Sequence, residues 1–408
     1  MNKTLLIISG GAEAIPGIQK AKEMGLFVVV SDGNKNAPGF AFADDQIVAS
    51  TYDIELTIKK SKDYNNNIRK IDGVICMASD VPLTVATVAN ELSIPGITIE
   101  SAMLSSDKIA MKDKFFSDNI SIPKYKELFN VDDLKSTIDD WGFPLIIKPV
   151  DSRGARGVAR LDHKTDINWA WNFAKENSST ERVMVEEYLE GPQVSTESLI
   201  VNGDCFTIGF SDRNYELLDQ YFPFVIENGG DLPSFLSEKT QSEIKILVSE
   251  AAKSIGVKNG VVKGDIVVSN SKPYIIEVAT RLSGGYFCSH EIPLNTGVDF
   301  LSNAIKIALG ESINLSDLII KNNTYVSQRY LFPKAGKVIK KINGINNLRK
   351  MKFVKFFDIR VREGTVIPET TSHPSRAGLL IVTGKSRLDA ISNAEFAVKS
   401  IEFEYIES

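Results

Sequence analysis

Apolar residues in the first hundred positions fall into short unbroken runs separated by stretches with helical spacing. Residues 4–9 form one such run, suited to a strand covered on both faces. Gly10-Gly11 breaks it, and residues 15–24 follow with helical periodicity. Residues 26–30 repeat the buried run and end in Ser31-Asp32-Gly33. Residues 73–77 give a third strand, 81–92 a helix, and Ile94-Pro95-Gly96-Ile97 a short last strand. Buried runs alternating with helices predict βαβ units and a parallel sheet, an α/β domain over 1–105.

The texture then changes. Helical segments at 106–116, 131–141 and 168–176 alternate with short strands at 144–148 and 182–188. Residues 194–330 add longer strands with hairpin punctuation and one helix near 241–255. After Phe332-Pro333, a lysine-rich linker leads to strands at 354–362 and 378–383, a Gly364 turn and a helix at 388–401. The pattern predicts α+β organisation after the α/β start, with no internal repeat.

Length agrees: 408 residues ask for two to three domains. Hydrophobic residues at 43% and charged residues at 24% are ordinary globular usage. A formal charge of -5 gives no footprint for nucleic-acid binding. Three cysteines, Cys76, Cys205 and Cys288, cannot all pair and none sits in a CxxC, which fits a reducing compartment. The start lacks a signal-peptide pattern and no run reaches the roughly 20 apolar residues of a membrane span. The expectation is a cytoplasmic protein without membrane partners.

The richest segment is VVKGDIVVSNSKPYIIEVATRLSGG, residues 261–285. Two β-branched runs flank Ser269-Asn270-Ser271-Lys272-Pro273, predicting a hairpin centred near Ser271 with Asp265 opposite Glu277. Lys263, Asp265, Glu277, Ala279 and Arg281 then share one face. Val262, Ile266, Val268, Ile276 and Val278 share the other, the core. Opposed carboxylates repel unless a cation lies between them, and hard oxygen ligands suit Mg²⁺. A solvated face where Lys263 neutralises the pair is the alternative.

Residues 144–148 end in Lys148, and DSRGARGV follows at 151–158. Glycines that bring backbone N–H groups close, beside two arginines, can cradle phosphate. A mobile surface turn is the plainer reading. The strand ending Glu186-Glu187-Tyr188-Leu189-Glu190 turns abruptly acidic, which suits either a flat heterocycle or an exit from the core. Gly10-Gly11 opens GGAEAIPG, which lacks the GxGxxG spacing of a dinucleotide site. His163 and His373 lie in polar loops without metal-ligand spacing. Cys288 has no evident triad around it.

Taken in order, these elements resemble the ATP-grasp superfamily across essentially the whole chain. They are closest to the carboxylate–amine ligases related to biotin carboxylase, carbamoyl phosphate synthetase and glycinamide ribonucleotide synthetase. The resemblance implies a Rossmann-like pre-domain at 1–105 and a two-lobed ATP-grasp domain at 106–330, its lid lobe near 120–190. A C-terminal α+β module at 331–408 would follow. It also implies ATP with one or two Mg²⁺ ions (Mn²⁺ could substitute), small-molecule carboxylate and amine substrates, and a homodimer as in many similar enzymes.

By the same resemblance, Lys108 and Lys148 hold the ATP phosphates, and residues 152–158, including Ser152, Arg156 and Gly157, form the closing loop. Glu186, Glu187, Tyr188 and Leu189 form the adenine hinge, and Gln193 sits near the ribose. Asp265 and Glu277 match the Mg²⁺ ligands, and Arg281 matches the catalytic arginine beside the transferred phosphoryl group. Ser283-Gly284-Gly285 would cradle the substrate carboxylate, and His290 would contact substrate or accept the amine's proton, a satisfied structural histidine being the alternative. The family's E-x-N-x-R reads Glu277-Val278-Ala279-Thr280-Arg281 here, so alanine replaces the asparagine contact. The implied reaction makes an acyl phosphate, then an amide, with release of ADP and phosphate. Alternatives are a glycinamide ribonucleotide synthetase-like enzyme, a carboxyphosphate-using carboxylase, or a non-catalytic nucleotide-binding protein.

Overall fold

The structure is a computed structural model that describes residues 2–407. The chain begins as a four-stranded parallel sheet in the order Asp45–Val48, Phe27–Asp32, Thr4–Ile8, Gly73–Cys76. Every residue of Thr4–Ile8 is buried, as a strand covered on both faces requires. Helices Ile15–Glu23, Ile54–Asn67 and Pro82–Glu91 accompany it. The periodicity did not reveal Asp45–Val48 or Ile54–Asn67, whose sequences DQIV and IELTIKKSKDYNNN are largely polar. The strand expected at 94–97 does not form. Pro95 has no N–H for a ladder, and Ser93 enters with φ of 52°.

A second, antiparallel sheet orders Tyr125–Leu128, Val183–Glu187, Leu145–Pro149 and Ala159–Leu161. Helices Val131–Trp141 and Ile167–Glu176 pack against it around Leu134, Ile147, Ala170 and Val185. The largest sheet has eight antiparallel strands: Lys272–Ala279, Gly260–Ser269, Gln193–Val201, Asp204–Asn214, Gly229–Leu232, Tyr325–Tyr330, Gly378–Gly384 and Val354–Ile359. This sheet runs through residue 330 without a break, so the C-terminal module shares it with the central lobe. The lysine-rich stretch after Pro333 is not a linker. Ile339–Asn343 is a strand paired with Glu402–Tyr405, and its lysines Lys340 and Lys341 stand exposed along it.

One apolar core ties the first sheet to the largest, joining Leu5, Ile7 and Ile18 with Phe300, Leu199 and Leu379. A single parallel bridge, Met77 to Leu282, joins the end of the first sheet to the segment following Arg281. The α/β start and α+β remainder expected from the pattern are therefore present, fused through a shared core.

Candidate active site

The predicted hairpin forms, and Asp265 stands opposite Glu277. Its turn is Asn270-Ser271, both with positive φ (49° and 62°), the tight two-residue connection that matches strand twist. The turn centre is therefore half a residue before Ser271. A bulge between Asp265 and Ile266 makes up the difference and restores the expected pairing at the carboxylates. The same bulge changes one expectation. Ile275, not Ile276, pairs with Ile266 and is fully buried, while Ile276 is turned to line the adjoining cavity.

Asp265 accepts from Ser195 Oγ at 2.7 Å and pairs with Lys263. Burial alone would raise its carboxyl, but Lys263 and Arg213 outweigh that and hold it well below the usual carboxylate range. Glu277 lies 3.6 Å from Lys108 Nζ. Lys108 is set by its helix start: Asp107 caps it, accepting from the N–H groups of Ile109 and Ala110 at 2.9 Å. Lys108 Nζ also donates to Ser152 O at 2.6 Å, tying the helix to the glycine loop.

Lys148 and Lys112 both meet Glu186, at 2.7 and 2.8 Å, in a cluster almost closed to solvent. Lys112, one turn after Lys108, escaped the sequence reading, since a lone lysine at i+4 carries no signal. Burial pulls its ammonium down to about 8. Burial would raise Glu186, but the two ammoniums hold it low. The Glu186 carboxylate is thus a counter-ion to lysines.

A cavity of about 170 Å³ lies beside this cluster, bordered by Lys108, Lys148, Ser152, Glu186, Glu187, Tyr188, Leu189 and Gln193, with Asp265 and Glu277. Gly157 does not border it. It has φ of 71°, and a Cβ there would meet Pro149 and Asn177 at 2.6 Å, so glycine is needed for loop packing. Arg156 borders the neighbouring cleft instead.

That second cleft, of about 400 Å³, adjoins the carboxylate pair on its other side. Arg281 lines it and donates from Nε to Asp80 Oδ1 at 2.5 Å. Ser283, Gly284 and Gly285 line it too, but two of their N–H groups are taken. Ser283 donates to Glu197 at 2.9 Å and Gly285 to Glu13 at 2.7 Å, so the expected backbone cradle is already filled by the protein's own carboxylates. His290 does not reach the cleft. Its half-buried ring packs on Phe356 and Tyr286, and its Nδ1 faces Ser289 Oγ.

Sequence reasoning missed much of the opposite wall. Arg213 and Arg376 converge on the buried carboxylate of Glu227, with Arg376 lying 3.5 Å over the Tyr330 ring. Arg360 pairs with Glu13 at 2.5 Å and Asp358 at 2.9 Å. His373, set aside as a loop histidine, borders both cavities, and its N–H donates to Gly154 O at 2.9 Å.

Residues 105–285 match the ATP-grasp domain family, and residues 329–405 match the L-amino acid ligase C-terminal domain 2 family. Residues 105–285 are thus an ATP-grasp domain. It is 23% identical over 383 residues to an L-arginine-specific L-amino acid ligase of Bacillus subtilis, covering 91% of this chain and 90% of that one. It is 29% identical over 194 residues to a formate-dependent phosphoribosylglycinamide formyltransferase of Prochlorococcus marinus, a match spanning 46% of this chain and 48% of the relative. The fold superposes on an L-amino acid ligase from Bacillus licheniformis with a TM-score of 0.84 and 20% identity, covering 100% and 99% of the two chains. The boundaries of the two matches agree with the geometry: the first carries the lysines and the carboxylate pair, the second carries Tyr330, Arg360, His373 and Arg376. Among the described residues no helix is long and apolar enough to cross a membrane.

Proposed function

We propose that this chain is an ATP-dependent ligase that activates the carboxylate of a small amino acid as an acyl phosphate and joins it to an amine. The carrying observation is that the module of amino-acid-ligase type supplies Tyr330, Arg360, His373 and Arg376 to the cleft wall facing Arg281. The related ligases act on amino acids by their names, an L-arginine-specific enzyme and an alanine–anticapsin ligase among them.

In this reading Lys108 and Lys148 hold the triphosphate, with the backbone near Leu189 facing the base and Gln193 the ribose. Asp265 and Glu277 would hold Mg²⁺. They are two carboxylates at one cross-strand pair, and among the described residues no group of three or more His, Cys, Asp or Glu is arranged to hold a metal. Such a pair fits Mg²⁺, which takes one or two carboxylates and completes its shell with phosphates and water. Bound there, the ion would neutralise phosphate charge.

The substrate carboxylate attacks the γ-phosphorus and releases ADP, and the amine then displaces phosphate from the acyl carbon. Arg281 stabilises charge on the transferred group, held at its angle by Asp80. The protein contributes positioning and electrostatics rather than covalent chemistry. The loop at 151–158 excludes water that would hydrolyse the acyl phosphate. The three unpaired cysteines fit a reducing compartment.

The test is ADP release across a panel of amino acids, with hydroxylamine to trap the activated acid. A hydroxamate that forms only with particular acids is the expected result. ATP binding without acid-stimulated ADP release would overturn the ligase reading, and release driven by bicarbonate alone would move the chain to carboxyphosphate chemistry.

A further inference from the structure

The charged groups around the substrate cleft are paired unevenly. Arg281 meets one carboxylate, Asp80, and Arg360 meets two, Glu13 and Asp358. Glu277 has Lys108, and Asp265 has Lys263. At the corner that holds Tyr330 the ratio reverses: Arg213 and Arg376 share the single carboxylate of Glu227. The Glu227 side chain is only 1% exposed and does not border the cleft, so it orients the two arginines rather than meeting a ligand. The charge of Asp265 also reaches Arg213, yet Asp265 is balanced by Lys263. One positive charge is left over at this corner.

Donors are left over as well. Arg213 gives Nη2 to Glu227 and keeps Nε and Nη1. Arg376 gives Nε to His373 O and Nη1 to Glu227 O, and keeps Nη2. Tyr330 Oη makes no hydrogen bond among the described residues, and none of these free donors is closed to solvent. All three residues line the cleft, where the Arg213 side chain remains 22% exposed. The Arg376 guanidinium lies 3.5 Å over the Tyr330 ring, which fixes its plane. Gly285 leaves the hydroxyl uncovered, since a Cβ there would stand 2.6 Å from Tyr330 Oη.

We propose that the acid activated by this chain carries a second carboxylate, held at this corner by Arg213 and Arg376 with Tyr330 Oη as a further donor. The inference rests on the ligase reading above and narrows its acid to a small diacid, such as an acidic amino acid. Guanidinium N–H groups match the two oxygens of a carboxylate. One negative charge cancels the excess that Glu227 leaves, whereas a phosphomonoester, at about -1.5 to -2, would overshoot it. A neutral side chain would leave the charge and its donors unpaired as the cleft closes to water. Arg281, Asp265 and Glu277 line the same cleft of about 400 Å³, so one cavity serves both ends of a short diacid.

The test measures hydroxamate and ADP formation by the full chain with glutamate, glutamine, norvaline and O-phosphoserine. Glutamate should exceed its neutral isosteres in kcat/KM by about a hundredfold or more, the scale at which a polar site rejects an analogue lacking its partner. R376M leaves Glu227 in a one-to-one pair with Arg213. It should raise the KM for glutamate about tenfold or more, the scale of a lost charged hydrogen bond, with kcat changed far less. Should R376M fail to fold, Y330F removes only a hydroxyl and should raise the same KM a few-fold. Equal use of glutamine and norvaline, or variants that lower kcat for every acid alike, would overturn the second carboxylate and leave the ligase reading standing. Activity confined to O-phosphoserine would replace the carboxylate by a phosphate. No hydroxamate from any acid would overturn both readings.

Discussion

At the nucleotide end of the cleft, Lys108, Lys112, Lys148 and Glu186 come from three neighbouring elements within residues 108–186. Lys112 and Lys148 share the Glu186 carboxylate in a nearly closed cluster, and Lys108 pairs with Glu277. At the substrate end, Glu13, Arg213, Glu227, Tyr330, Arg360 and Arg376 come from segments scattered between residues 13 and 376. At the first end the buried carboxylate is met by lysines. The second includes a buried carboxylate, Glu197, with no cation in contact: its partners are the N–H and hydroxyl of Ser283. The contrast suits the tasks proposed for the two ends. A common nucleotide can be met by a fixed local device, whereas a particular acid and amine need a wall assembled from several lobes.

The carboxylate pair lies at the seam between the ends, and changing it should have the largest effect. Glu277→Gln is expected to lower ligase turnover on the order of a thousandfold, the scale of losing a group that stabilises developing charge. Its side chain is 30% exposed and makes one loose pair, so the thermal midpoint should stay within about 3 °C. Steady-state ADP release beside a calorimetric scan checks both. Near-normal turnover would remove the seam from the chemistry and leave the two ends as unrelated pockets.

The nucleotide end is tested next by Glu186→Gln. It leaves Lys112 and Lys148 buried with no counter-charge, at a cost of about 3–5 kcal/mol. Urea titration at pH 7 should show that loss together with weakened ATP binding. A variant as stable as the wild type would mean that the cluster is wet and that Glu186 is free for the adenine.

The same contrast governs what the sequence reveals. Asp265, Glu277 and Arg281 lie within one hairpin, where period-two alternation and a tight turn determine which side chains share a face, and their pairing was readable despite a bulge. The bulge itself was not, because one extra residue leaves no mark in an unbroken apolar run. Lys148 was visible as the end of a buried strand. Glu227, Arg360 and His373 had no periodicity to mark them, since tertiary contacts between segments far apart in the chain bring them to the cleft. His290 lies just beyond Ser283-Gly284-Gly285 in the sequence, yet its half-buried ring packs on an aromatic pair and not on the cleft. Local patterns thus carried the hairpin and the strand ends, and the substrate wall needed the fold.

Glu197 sharpens the comparison through pH. It is fully buried, and burial raises its carboxyl to about 7 from 4.5. Below pH 4.5 the folded and unfolded chains both hold this proton, and above 7 neither does. Between those values the folded state retains a proton that the unfolded chain has released. Its contribution to stability is therefore full at low pH and lost as pH rises through about 7, a change of about 3 kcal/mol. Glu197→Gln removes that titration while keeping a polar group for Ser283. The stability difference between wild type and E197Q should thus shift by about 3 kcal/mol in favour of the variant between pH 4.5 and 7.5. Glu186, held low by its lysines, contributes no loss over the same range. Denaturant titrations at fixed ionic strength along this series read the difference. A difference that stays constant with pH would show that Glu197 is ionised and paired after all, and that both ends of the cleft balance their charges in the same way.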